Sequence, residues 1–506
     1  MSAEGRHTAA ARGYLPAWLG LTVLAAASLA TGAAVVGLVA SPAPSPASVL
    51  VAEPPSNDAT FDGVWTFRGN LSRSSMGEGP VPVAPVVRWR MPAEDEPLCS
   101  MSAAGRDPDD LKEWCGTGWT GQPNVVPTLR GLELREGAYD GAYHFVDPGS
   151  GAPLLPPLPT GDLAKGSATT DPDGFPLYYA GSRDDQFRVI ATDRAEPVVL
   201  WQIDANASVP EVLWNDDWDG AALVVDDHLL VGGENGWLYV VRLNRAYDAR
   251  GQVTVDPEIL ATIRAWDDEV LRAVGDQDTS IESSVAFRDG VVYVANSTGL
   301  VQGWDVSDLL AGGDAAERVF RYWAGDDTDA TVVIDDEGML YVASEFQRFL
   351  DRARDVGQLM KLDPSRPDDP LVWAIAASEI GFDGAGGSWS TPALDGDRVY
   401  FATAAGRVLA VDRGSGEVAW ELQVGSPSIA SPVVVDGTLI QGDCTGHLYA
   451  WDLLAAGEGP PPLRWSLDLG DCIESTPAVW RGWLYVGTRE GYVYGLADRD
   501  TPAPAA

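Results

Sequence analysis

The chain has 506 residues, 45% of them hydrophobic, and a formal net charge of −40, so it can build a large core but would repel a nucleic-acid partner. The same charge disfavours docking on anionic lipid headgroups, while serving plain solubility. Four cysteines and four histidines without CxxC, CxxCH or HExxH spacing exclude the usual zinc and haem sites, and in an exported protein an even cysteine count predicts disulfides.

Residues 15–40 carry no charged side chain and consist mostly of Ala, Leu, Val and Gly. As a helix they reach about 39 Å, more than the roughly 30 Å hydrocarbon core of a bilayer. Signal-peptide cores run to only about 7–15 residues, so the segment reads as an uncleaved signal-anchor, a single-pass transmembrane helix. Cleavage near Ala40, releasing a secreted domain, is the alternative. Arg6 and Arg12 precede the segment and no Lys or Arg follows before Arg68. Residues 1–14 then stay in the cytoplasm and the rest lies on the extracytoplasmic side of the cell membrane. Residues 41–61 are Pro-rich and form a stiff linker.

From residue 62 a unit of two apolar strands around a turn, a third strand and a short Trp strand returns with a period of roughly 40–60 residues, which signals a β-propeller. The second strand of each unit is centred at Glu133, Tyr178, Leu230, Tyr293, Tyr341, Tyr400, Ile440 and Tyr485. This predicts an all-β, eight-bladed β-propeller of four-stranded antiparallel blades over residues 62–498, followed by a disordered tail, 499–506. The outermost strand carries Trp201, Trp373, Trp420 and Trp465, with Trp266 and Trp323 assigned the same place. The last unit lacks a Trp strand, and a spare one stands at 86–91. That strand is expected to close the ring, because an open ring leaves two edges prone to aggregation.

The stretch Ala410, Asp412, Ser415, Gly416 and Trp420 matches the tryptophan-docking motif Ala-x-Asp-x-x-(Ser/Thr)-Gly-x-x-x-Trp. With Trp65-Thr-Phe-Arg-Gly-Asn70 and Arg73 ahead of it, the chain resembles the pyrroloquinoline-quinone (PQQ)-like propellers. That resemblance implies either a quinoprotein dehydrogenase or a non-catalytic relative, such as a scaffold of outer-membrane protein assembly or a sensor domain. The dehydrogenases hold the quinone between a tryptophan and a disulfide of adjacent cysteines, with Ca²⁺ as Lewis acid and an Asp as base. This chain has no adjacent cysteine pair and no haem-attachment motif. The expectation is a membrane-tethered binding or scaffolding module for other envelope proteins, without catalytic residues or cofactor. A quinoprotein-like oxidoreductase using Ca²⁺ and PQQ, and the ectodomain of a sensory complex, are the alternatives. The docking motif itself reads as glue between blades: Asp412 accepts turn N–H groups, Gly416 takes positive φ and Trp420 packs flat.

Loops entering each innermost strand share a face with the hairpins between second and third strands. Cys99 and Cys115 fall in one entry loop, Cys472 in another, and Cys444 in such a hairpin, so Cys99–Cys115 and Cys444–Cys472 are the natural pairs. Aligned by spacing, Asp219, Glu282, Trp389 and Glu474 start equivalent innermost strands, and Asp329 joins them after a one-residue shift. Asn124 and Gly166 are the counterparts in the first two blades. The four carboxylates are expected around the mouth of the central channel, where they focus negative potential. They read either as a share of an acidic surface or as a site for a metal ion or cationic ligand, Ca²⁺ being the hard cation such oxygens suit, with a catalytic carboxylate pair a third reading.

Overall fold

The computed structural model describes residues 62–505, apart from 105–108, 120, 382–383, 426 and 458. The expected membrane segment 15–40 and linker 41–61 lie outside the described residues; among those described, no helix is long and apolar enough to cross a membrane.

Eight four-stranded antiparallel sheets follow one another as blades 1 to 8. Their innermost strands are Asn124–Thr128, Thr169–Thr170, Leu223–Val225, Ala286–Arg288, Val333–Ile334, Ala393–Asp395, Val433–Val435 and Ala478–Trp480. The eight residues expected at the centres of the second strands all lie there, and all are buried. Inner strands lie between neighbouring blades, and several, such as Leu223–Val225, Val333–Ile334 and Val433–Val435, are buried uninterrupted apolar runs.

The closing strand is where the sequence placed it. Val86–Met91 pairs antiparallel with Tyr492–Ala497, from Val86 opposite Ala497 to Met91 opposite Val493, and completes blade 8. One strand was not foreseen: Gly77–Glu78 pairs parallel with Ala478–Trp480 on the inner side of that blade. It ends a plug that fills the central channel. Val64 bridges to Val125 of blade 1, and Trp65 O accepts from Thr170 N of blade 2 at 2.7 Å. Leu71 O accepts from Phe287 N of blade 4 at 2.8 Å and Ser72 O from Ile334 N of blade 5 at 2.9 Å. Arg68 donates to Thr391 O at 2.7 Å, and Arg73 to Val285 O at 2.7 Å and Ala221 O at 2.9 Å. Both guanidiniums are fully buried among backbone carbonyls, and burial lowers their pKa values to about 9, which leaves them charged at neutral pH.

The docking motif works across a seam. Trp373 of blade 5 donates from Nε1 to Arg413 O of blade 6 at 3.1 Å. A Cβ on Gly416, at φ +76°, would lie 2.6 Å from that indole, so the turn must be glycine. Asp412 Oδ1 accepts from Ser415 N at 2.8 Å and Gly414 N at 3.1 Å, holding the turn. Ala410 is buried opposite Trp420, whose own ring lies 5.8 Å from Tyr400. Gly151 in blade 1 receives Trp89 of the closing strand in the same manner, with Trp89 Nε1 donating to Pro148 O at 2.9 Å.

Register corrects one assignment. The residues paired just before the bulge of each outer strand are Trp201, Trp373, Trp420 and Trp465, but in blades 3 and 4 they are Ala261 and Phe320. Trp323 is the last residue of the outer strand of blade 4, Glu317–Trp323, as expected, whereas Trp266 falls past the end of Glu258–Arg264, because the outer strand of blade 3 starts earlier than the Trp spacing implied. The expected tail, 499–506, meets blade 8 through Pro502 O, which accepts from Trp483 Nε1 at 2.9 Å, and Thr501 O, which accepts from Arg88 at 2.9 Å.

Candidate functional site

Asp219, Glu282, Asp329, Trp389 and Glu474 each stand four residues ahead of an innermost strand, at the mouth of the channel. Neighbouring entry strands run close there: a Cβ on Gly220 would lie 2.3 Å from Ser283 O. Side chains starting from such a tight ring have little room to diverge.

The ring does not hold four equivalent carboxylates. Asp219 is ion-paired to Lys165 at 2.6 Å, and Lys165 also reaches Glu234 at 3.7 Å. Carboxylate oxygens of Asp219, Glu234 and Glu282 all lie within 4.8 Å of one another around this ammonium. Burial, followed by the neighbouring Asp329, pushes the Glu282 carboxyl well up; burial and Asp219 do the same to Glu234. Burial works against the Lys165 charge, yet Asp219, Glu234 and Glu282 together hold its pKa well above the usual value. Glu474 has a partner of its own, Arg489, at 3.1 Å. Asp329 instead joins Asp327 and Glu345, with carboxylate oxygens within 4.8 Å and all three buried. Burial raises all three carboxyls, Asp327 to about 7, and Arg348 reaches Asp327 at 3.1 Å.

Spacing therefore found the ring but missed its second tier. Glu234 and Glu345 follow the second strands of blades 3 and 5, a position that inner-strand alignment does not sample. Lys165 could have been found: it is one of three lysines in the chain and immediately precedes Gly166, the blade 2 counterpart of the ring.

The mouth is shallow. Glu282, Asp329, Trp119 and Trp389 surround a cavity of about 10 Å³ whose floor is Phe67 of the plug. Beside it, Cys99–Ala103 and Leu111–Cys115 form a hairpin closed by the Cys99–Cys115 disulfide, and Trp114 lies over Arg489 and Arg183 at 5.2 and 5.8 Å. Cys444 and Cys472 are bonded, stapling blade 7 to blade 8. A bridge of this kind is worth roughly 2–4 kcal/mol.

Residues 185–501 match the family model described as outer membrane protein assembly factor BamB, which spans more than half of the chain. The chain belongs to this PQQ-like propeller family. No curated protein matches by sequence. Among solved structures, BamB from Moraxella catarrhalis is similar at 16% identity and a TM-score of 0.50, covering 75% of this chain and 94% of that one. Quinohemoprotein alcohol dehydrogenase from Comamonas testosteroni is similar at 12% identity and a TM-score of 0.58, covering 89% and 82%. A europium-containing methanol dehydrogenase is similar at 13% identity and a TM-score of 0.55, covering 86% and 98%. At such identities these likenesses speak for the fold alone, and function must be argued from the site.

The PQQ-like fold raises the question of a quinone. A cofactor of that size needs a pocket on the order of 300 Å³ or more, and the cavity beside Phe67 among the described residues measures about 10 Å³. The disulfide near it joins strands of a hairpin, 16 residues apart, and not adjacent cysteines. Among the described residues, this cavity does not fit a bound quinone.

Proposed function

We propose that this PQQ-like propeller is a non-catalytic binding and scaffolding module, tethered by residues 15–40 on the extracytoplasmic side of a membrane, with the channel mouth as its docking face. The observation that carries the reading is the plug: Phe67 closes the channel just below the acidic ring, leaving a recognition surface where an enzyme would need a pocket. Val64 runs antiparallel to Val125, so the chain comes up into the ring from the face opposite the mouth.

A photo-crosslinking residue at Trp389, on the mouth, should give adducts in intact cells, while one at Leu129, on the opposite face, should not. Equal adducts from both positions, or dye reduction with an alcohol after loading with quinone and Ca²⁺, would replace scaffolding with another role.

The mouth is also proposed to hold one hard cation. Lys165 and Arg489 serve Asp219 and Glu474, whereas Asp327 Oδ1 and Glu345 Oε1 are buried with no hydrogen-bond partner among the described residues. Asp327, Asp329 and Glu345 offer the all-oxygen set that Ca²⁺ takes. At about a hundredfold excess over Kd, Ca²⁺ should stabilise the protein by about 2.7 kcal/mol. Because these carboxyls hold their protons unusually tightly, Ca²⁺ must displace them, and the melting shift should be large at pH 8 and small at pH 5.5. Asp329→Asn with Glu345→Gln should abolish it; an unchanged shift in that variant excludes the site.

A further inference from the structure

We propose that the cleft between blades 1 and 2, on the face opposite the mouth, binds a small carboxylate with an aromatic or branched apolar body. The cleft has a volume of about 280 Å³, near the lower end for small-molecule sites.

Two other seams are closed at this position by a clamp. Between blades 2 and 3, Arg245 pairs with Asp171 at 2.7 Å, and Asp171 also accepts from Tyr179 Oη at 2.6 Å. Between blades 5 and 6, Arg413 pairs with Asp335 at 2.6 Å, and Asp335 accepts from Tyr341 Oη at 3.0 Å. Each clamp joins a turn Asp and a second-strand Tyr of one blade to an Arg just after the third strand of the next. At the seam of blades 1 and 2 the clamp is dismantled. The arginine after the third strand of blade 2 is Arg194, and it turns away to donate to Val253 O of blade 3 at 2.8 Å. The tyrosine's place on blade 1 is taken by Glu133.

Two arginines of blade 1 now line the opening. Glu133 accepts from Arg130 Nε at 2.8 Å and from Arg135 Nε at 2.9 Å, so one buried carboxylate is shared by two guanidiniums. The lining carboxylates have their partners: Asp171 has Arg245 and Tyr179, and Asp193 accepts from Val253 N at 2.6 Å and pairs with Arg194. The guanidiniums are not exhausted. Arg130 uses Nε and Nη2 on Glu133 and Nη1 on Thr192 O at 2.6 Å, three of its five N–H groups. Among the described residues the cleft's guanidiniums keep N–H groups to spare while its carboxylates are already paired, which suits an anion that accepts from a guanidinium fork.

Its walls supply the other half of the ligand. Phe175, Pro127 and Pro176 line one side, and Leu129 stands 91% exposed at the rim. Phe175 is held by a stack on Tyr247 at 5.4 Å and by Arg245 at 4.8 Å, so the apolar wall is preformed. A phenyl ring with a short carboxylate arm matches walls, volume and donors together.

Titration calorimetry on the full chain tests this with phenylacetate, with acetate as the charge without the body and benzylamine as the body with the opposite charge. Phenylacetate is expected to bind saturably, acetate at least about tenfold more weakly and benzylamine not at all. Arg130→Gln should weaken phenylacetate by about tenfold or more and Arg130→Lys by less, since Arg135 still neutralises Glu133 in both. Thr128→Phe, which leaves both ion pairs in place, should block the cleft and abolish binding. No saturable binding to the parent, or undiminished binding to Arg130→Gln and Thr128→Phe, overturns the proposal.

Discussion

A chain that starts at residue 92 does not fold, whereas one that starts at residue 62 melts like the full-length protein. The first truncation removes the closing strand and the plug together. Val64, Trp65, Phe67, Leu71, Trp89 and Met91 are all less than 9% exposed, and at about 1.5–3 kcal/mol each their burial rivals the whole stability of a typical domain, about 5–15 kcal/mol. The loss exceeds this sum, because both edges of blade 8 are left open and the inner carbonyls that Arg68 and Arg73 satisfy become orphans. Circular dichroism melts of the two truncations decide the matter. A cooperative transition for residues 92–506 within a few degrees of the longer chain would show that ring and plug are dispensable.

Lys165→Met destabilises the protein by about 3–5 kcal/mol at pH 7.5 and by much less at pH 5. The ammonium sits among Asp219, Glu234 and Glu282, and removing one partner of a buried ion pair leaves uncompensated charge. The sign of the pH dependence follows from the glutamates. Both have folded-state pKa values raised well above the unfolded value, so the folded state binds more protons and their ionisation costs stability as pH rises. Without Lys165 that cost is larger, so the gap between variant and parent widens from about pH 5 upward. Lys165 itself contributes throughout, since its raised pKa keeps it charged until well above neutrality. Denaturant titrations at the two pH values measure this. A penalty that is constant, or greater at pH 5, would mean that the glutamates are not coupled to the lysine.

The ring was legible because it is local and repetitive. A pair of short apolar strands around a tight turn is recognisable by itself, and repetition turned eight weak signals into a blade count that the sheets bear out. Closure was legible for a related reason: Trp89 with its neighbours was a strand without a blade, and Tyr492–Ala497 an edge without a partner. Spacing, with a one-residue shift for Asp329, likewise predicted the mouth positions of Asp219, Glu282, Asp329 and Glu474, since each is fixed by its distance from an inner strand.

What those side chains meet was not local. Whether four carboxylates repel one another depends on cations from other blades, and Lys165 and Arg489 supply them to Asp219 and Glu474 while Asp329 is joined by two further acids. The plug escaped for the same reason: Trp65 to Arg73 has no strand period, and many of its hydrogen bonds go to residues of distant blades. The sequence by itself determined the repeat, the number of blades, the strand that closes them and the ring of positions at the mouth, because each follows from periodicity or from counting along one chain. Only the tertiary structure decided that the channel is filled, that a lysine divides the acidic ring and that a cleft opens between blades 1 and 2. Those depend on which distant groups compete for the same few ångströms, and no period in the chain encodes that competition.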